Sequence, residues 1–102
     1  MRNLALAVGI IAGFTSGAAA NQLGIASYYQ NPHFKGLTAA HKTIPFGTRV
    51  KVVNLDNGKS AIVRIVDRGP FIRGRIIDVS PSAASVLGFR GAGLAHVRIE
   101  RL

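Results

Sequence analysis

The 102-residue chain has no cysteine and no tryptophan, one methionine, two tyrosines, and four acidic residues against 13 lysines and arginines. Without cysteine there is no disulfide framework, no thiolate zinc site and no thiol nucleophile. Four carboxylates and three histidines are too few for a rich metal centre or a multi-acid site. A chain this short holds one domain. Any chemistry must rest on a very short list of groups.

A long hydrophobic run is also missing. The apolar segment Leu4–Phe14 falls well short of the roughly 20 residues that span a bilayer. It follows the basic start Met1-Arg2-Asn3 and precedes the small residues Thr15-Ser16-Gly17-Ala18-Ala19-Ala20. That is the three-part layout of a secretory signal, with Ala18-x-Ala20 fitting the cleavage rule. The sequence therefore predicts a signal peptide over residues 1–20 and a mature domain over 21–102, exported to the periplasm or envelope. No cysteine follows the cleavage point, which excludes a lipid anchor. Cleavage takes Arg2 off the +9 of the whole chain and leaves +8. In a cytoplasmic protein such a charge would suggest nucleic acid. An exported one meets acidic envelope polymers or anionic headgroups instead, so the expectation is no nucleic-acid partner and no stable membrane insertion.

What is present is a hydrophobic period of two. Ala95, Val97 and Ile99 alternate with His96, Arg98 and Glu100, and Val50 and Val52 alternate with Arg49 and Lys51. Leu23–Tyr29, Arg49–Asn54, Ala61–Val66, Arg75–Val79 and Leu94–Leu102 read as strands. Asn57-Gly58 between the second and third predicts a tight hairpin with a two-residue turn. Ser80 as cap, Pro81 in the first turn and Gly88 as left-handed exit predict one short helix. An 82-residue domain without disulfides needs a closed, well-packed β architecture. Residues 30–48, with Pro32, Gly36, Pro45 and Gly47, read as a long loop of functional character.

Two segments carry possible chemistry. In Leu37–Thr48, His41 sits among small residues, where it can shuttle a proton near neutral pH or hold the loop by bonding a backbone carbonyl. In Ile65–Ser80, Asp67 ends an apolar strand before Gly69-Pro70. Partial desolvation there would raise its pKa and suit a general acid. Direct pairing with Arg68, Arg73 or Arg75 would instead lower it. The same two readings hold for Asp78.

Together, Gly24–Tyr29, Leu37–Thr48, Asn54–Gly58, Val63–Phe71 and Gly74–Ser80 resemble, in order, the rare lipoprotein A family of septal-ring lytic transglycosylases. The run Thr38-Ala39-Ala40-His41-Lys42-Thr43-x-Pro45-Phe46-Gly47-Thr48 and Asp67-Arg68-Gly69-Pro70-Phe71 are its most specific parts. The resemblance implies a mainly β, six-stranded double-psi β-barrel with one short helix. It implies cleavage of MurNAc–GlcNAc bonds in peptidoglycan, with preference for strands stripped of stem peptides. No metal or organic cofactor is implied. Asp67 matches the family's catalytic Asp, His41 its active-site His, and Asp78 a groove Asp held as a secondary acid.

The forked guanidinium groups of Arg68, Arg73 and Arg75 suit the lactyl carboxylates that stripped glycan exposes. Thr38, Tyr29 and Phe71 join them as substrate-binding candidates, with Tyr28 and Phe34 as further stacking faces. Phe46 and Phe89 are expected in the core, and Lys51, Lys59, Arg98 and Arg101 at solvated strand edges. Cell-division or envelope proteins are the candidate protein partners.

Two departures stand out. Family members usually carry a Thr-Ala-x-Gly-Glu stretch before the Thr-Ala-Ala-His run, whereas here Phe34-Lys35-Gly36 leads straight into Leu37-Thr38. Many members also carry a lipidated Cys and a peptidoglycan-binding repeat domain. The alternative reading is therefore a non-catalytic, expansin-like peptidoglycan-binding barrel.

Overall fold

The computed structural model describes residues 21–102, so the expected signal at 1–20 lies outside the described residues. Six strands form a closed barrel: β1 (Asn21–Tyr28), β2 (Thr38–Ala40), β3 (Arg49–Asn54), β4 (Ser60–Asp67), β5 (Arg75–Val79) and β6 (Ala95–Arg101). Around the barrel the order is β1-β5-β2-β4-β3-β6. β1 with β5 and β2 with β4 run parallel, and the other four pairings are antiparallel. Alternation sends Val50, Val52, Val63, Ile65, Ile77, Val79, Val97 and Ile99 into a fully buried core. Closure leaves no edge strand. Lys51, Arg98 and Arg101, expected at edges, are instead rungs of the closed sheet, and Lys59 lies in the β3–β4 loop.

The helix α1 (Pro81–Leu87) has the caps read from the sequence. The Ser80 hydroxyl accepts from the Ala83 N–H, and Gly88 exits at φ 79°. A Cβ at Gly88 would also meet Asn57 Nδ2 at 2.7 Å. That amide and Asn54 Nδ2 both donate to the Leu87 carbonyl, at 2.9 Å each. They satisfy a carbonyl that the end of a helix leaves without an intrahelical partner.

Two local expectations need correction. The β3–β4 hairpin is real, but its loop runs over residues 55–59, closed where the Asn54 N–H donates to the Lys59 carbonyl at 2.7 Å. Asn54 Oδ1 accepts from the Asp56 N–H, and this side-chain bond favours the wider loop over a two-residue turn. The stretch 30–48 is not all loop, since it contains β2. Thr-Ala-Ala has no hydrophobic period to announce a strand, and its ladder partners lie far along the chain in β4 and β5. Ser80 locks β2 in place: its hydroxyl donates to the Gly36 carbonyl and accepts from the Thr38 N–H.

Where β1 meets β5 the register skips Ile76, whose side chain packs against Gly24. A Cβ at Gly24 would stand 2.6 Å from Ile76 Cγ2 and 3.0 Å from Cγ1. Gly24→Ala is expected to destabilise the barrel by about 1–3 kcal/mol, read as a lower urea midpoint.

Candidate active site

A register row across four strands builds the site. Ser27 of β1 pairs with Asp78 of β5, Asp78 with Ala40 of β2, and Ala40 with Asp67 of β4. The strict alternation that buries Val63 and Ile65 would send Asp67 inward as well. Between Ala39 and Ala40, however, the register slips by one residue and leaves Val66 unpaired. The slip turns Asp67 onto the face of Asp78, the re-aiming that bulges produce beside functional sites. Ala40 keeps the space between the two aspartates free of bulk.

Asp67 is half-buried at the strand end. Its Oδ2 accepts the Tyr29 hydroxyl at 2.6 Å and Asn31 Nδ2 at 3.4 Å, and its Oδ1 accepts the Arg68 N–H at 2.8 Å. The Tyr29 hydroxyl, then the Arg68 N–H, hold its carboxyl below the usual carboxylate range, with Asn31 and the Arg68 charge adding to them. Of the two pKa directions the sequence allows, the lower one holds. The cause is a tyrosine and a backbone amide rather than an arginine–carboxylate pair. Burial and the bond to Asp67 push the Tyr29 hydroxyl up to about 12, so it stays a proton donor. Asp78 accepts from the Ser27 hydroxyl, and its charge also acts on Tyr29.

A carboxyl whose pKa is lowered by folding adds stability above its ordinary value of 3.8, and that stability is lost as pH falls through the folded value. Tyr29→Phe removes the largest cause. The Asp67 carboxyl is therefore expected to titrate at higher pH in the variant, followed by carbon NMR of the side chain, and the acid-side gain in stability should shrink.

His41 faces inward, 3% exposed. Its Nδ1 accepts from the Thr43 and Ile44 N–H groups at 3.1 Å each, so Nε2 carries the proton and donates to Gln22 Oε1 at 2.9 Å. Burial, then the charges of Arg101, Arg68 and Lys42, lower its pKa and keep the ring neutral. It holds the loop, though by accepting N–H groups rather than by bonding a carbonyl. Its link to the acid is through the backbone, its N–H donating to the Asp67 carbonyl at 3.1 Å.

Arg68 braces the same loop. Its Nη1 donates to the carbonyls of His41 at 3.1 Å and Ile44 at 2.8 Å, and the guanidinium lies 4.0 Å from the Phe46 ring centre. Phe46, expected in the core, is 60% exposed beneath that cation, whereas Phe89 is buried as expected. Phe71, 77% exposed, and Arg73 lie in the β4–β5 connection, and Arg75 opens β5. Thr38 is buried at the start of β2.

A groove of about 550 Å³ opens on the Thr38 side of the acid, walled by Gln30, Asn31, Phe34, Lys35, Ser82 and Arg90 among others. Asn31 belongs both to the groove and to the Asp67 cluster. Nothing in the sequence marks Asn31, Gln22 or Ser27 as members of the site. Isolated amides and hydroxyls carry no spacing signal, and only the closed barrel brings them to their partners.

The family model described as lytic transglycolase matches residues 21–99. The chain belongs to this family. A protein of a Nostoc species, named probable endolytic peptidoglycan transglycosylase RlpA, is 53% identical over 93 residues, covering 78% of this chain and 25% of that protein. The endolytic peptidoglycan transglycosylase RlpA of Neisseria meningitidis is 60% identical over 65 residues, covering 64% and 27%. The chain spans about a quarter of the length of these curated relatives. Among solved structures, an expansin mutant of Clavibacter michiganensis in complex with cellohexaose aligns with a TM-score of 0.67 at 16% identity, over 80% of this chain and 50% of that one. The Streptomyces papain inhibitor gives 0.63 at 20% identity, over 78% and 92%. At these identities the likeness establishes the fold, a double-psi β-barrel. Among the described residues, no helix is long and apolar enough to cross a membrane.

Proposed function

We propose that this chain is an endolytic peptidoglycan transglycosylase of the exported cell-envelope kind, with residues 1–20 as its signal and Asp67 as its acid/base. The cluster at the end of β4 carries the reading. One carboxylate, open to solvent on one side, is fixed by three donors at the junction of a groove and an exposed aromatic loop. The names of the relatives supply the substrate class.

A lytic transglycosylase works with one carboxyl, where a hydrolase uses two. Asp67 protonates the glycosidic oxygen as the bond to the muramyl C1 breaks. The resulting carboxylate takes the proton of the C6 hydroxyl, whose oxygen closes onto C1 as an anhydro ring. Tyr29 and the Arg68 N–H prepare Asp67 for the second step by stabilising its anion. The first step needs the protonated form, so turnover falls as pH rises above the lowered Asp67 pKa. A glycan that excludes water counters this by raising that pKa. Asp78, joined to Ser27, is the second acid of the row. His41 and Arg68 are positioning residues that hold the 41–46 loop against Asp67.

Along β2 the groove lies toward Thr38, and the loop with Phe71 and Arg73, leading into Arg75 at the start of β5, lies beyond Ala40. A strand laid over Asp67 therefore meets the groove on one side, and an aromatic face with arginines on the other. The second reading, a non-catalytic glycan-binding barrel, is favoured by the depressed Asp67 pKa. Mass spectrometry of sacculi incubated with the protein decides between them. Anhydromuramyl ends mark the lyase, reducing ends a hydrolase, and capture without products the binding barrel.

A further inference from the structure

We propose that the groove beside Asn31 is an anion subsite, in which Lys35 and Arg90 hold the lactyl carboxylate of a muramyl residue adjacent to the bond being cleaved. The inference rests on the reading of the substrate as peptidoglycan glycan.

The groove has the size of a small-ligand site. Two cations, Lys35 and Arg90, line it, and no carboxylate does among the described residues. A concave surface of one charge sign concentrates ligands of the other. Gln30, Asn31 and Ser82 add amide and hydroxyl groups suited to sugar hydroxyls and acetamido groups.

The cations sit on braced segments. The Tyr28 hydroxyl donates to the Arg90 carbonyl at 2.9 Å while its ring packs edge-on against buried Phe89. Phe34, the neighbour of Lys35, lies beneath the Arg64 guanidinium at 6.0 Å. Adjacent tyrosines at the end of β1 thus set both parts of the site, Tyr29 fixing the acid and Tyr28 the turn that carries Arg90.

The alternative owner of the carboxylate is less free. Arg68 commits its Nη1 to two loop carbonyls, whereas the Arg90 Nη1 makes one bond, to the exposed Ser85 hydroxyl at 3.3 Å. Arg73 lies beyond Ala40, on the far side of the acid. A stem peptide turns the lactyl group into a neutral amide, so this subsite would sense whether the strand has been stripped.

The test is equilibrium binding to short peptide-free glycan chains, with lactyl carboxylates either free or converted to methyl amides. Measuring it in the Asp67→Asn protein keeps the chains intact. The free form is expected to bind about tenfold more tightly, the strength of a hydrogen bond to a charged group. Lys35→Gln/Arg90→Gln should bind both forms alike, near the affinity of the parent for the amide. Both side chains are exposed, so the barrel should keep its circular dichroism. Arg73→Gln/Arg75→Gln should keep the preference. The subsite is wrong if the parent shows no preference, or if the preference survives loss of Lys35 and Arg90. A preference that is present while the native protein releases no anhydromuramyl ends leaves the subsite standing and removes the transglycosylase reading alone.

Discussion

Asp67→Asn is expected to abolish release of anhydromuramyl ends from sacculi while leaving the barrel folded and able to bind glycan. An amide oxygen can still accept from Tyr29 or from the Arg68 N–H, so the local geometry has a reason to persist. What the amide cannot do is give a proton to the glycosidic oxygen and then take one from the C6 hydroxyl. General acid/base help is worth roughly 10²–10⁴ in rate. When one carboxyl serves both steps, that loss should empty the product peaks of an overnight digest. The check is product mass spectrometry alongside a urea unfolding curve. Wild-type turnover in the Asn variant would move the assignment to Asp78, the other acid of the row.

His41→Ala is expected to act chiefly on stability. Removing the ring strands the buried N–H of Ile44, while the N–H of exposed Thr43 and the half-buried Gln22 carbonyl can turn to water. An unsatisfied buried group costs about 1–3 kcal/mol, and a loss of about that size is expected. That is a large part of the stability of a small domain. Turnover should weaken less completely than in Asp67→Asn, because the ring supports the acid only through the backbone.

The same residue sets a pH dependence. Folding lowers the His41 pKa from 6.5, so below that pH the unfolded chain binds protons that the folded chain refuses. The contribution of the neutral ring is whole above 6.5 and is lost as pH falls toward the folded value. Urea midpoints should therefore fall between pH 7.5 and about 5 in the wild type. In His41→Gln, whose amide oxygen can still accept an N–H, that slope should flatten. An equal slope in both would show that another group governs it.

The sequence by itself determined the strands with a strong two-residue period, the helix with its Ser80 and Gly88 caps, and the hairpin between β3 and β4. These are local properties, written in side-chain alternation and turn chemistry over a few residues. Specific runs around His41 and Asp67 also mark the family without reference to any contact. Only the tertiary structure decided what those two residues do. The pKa of Asp67 depends on Tyr29, 38 residues away in sequence, and on a one-residue slip against β2, a strand too short and too plain to be read from its own residues. The inward turn of His41 depends on Gln22 in the first strand, and the commitment of Arg68 depends on two carbonyls of the 41–46 loop. Each is a long-range meeting produced by barrel closure, which a one-dimensional pattern does not encode.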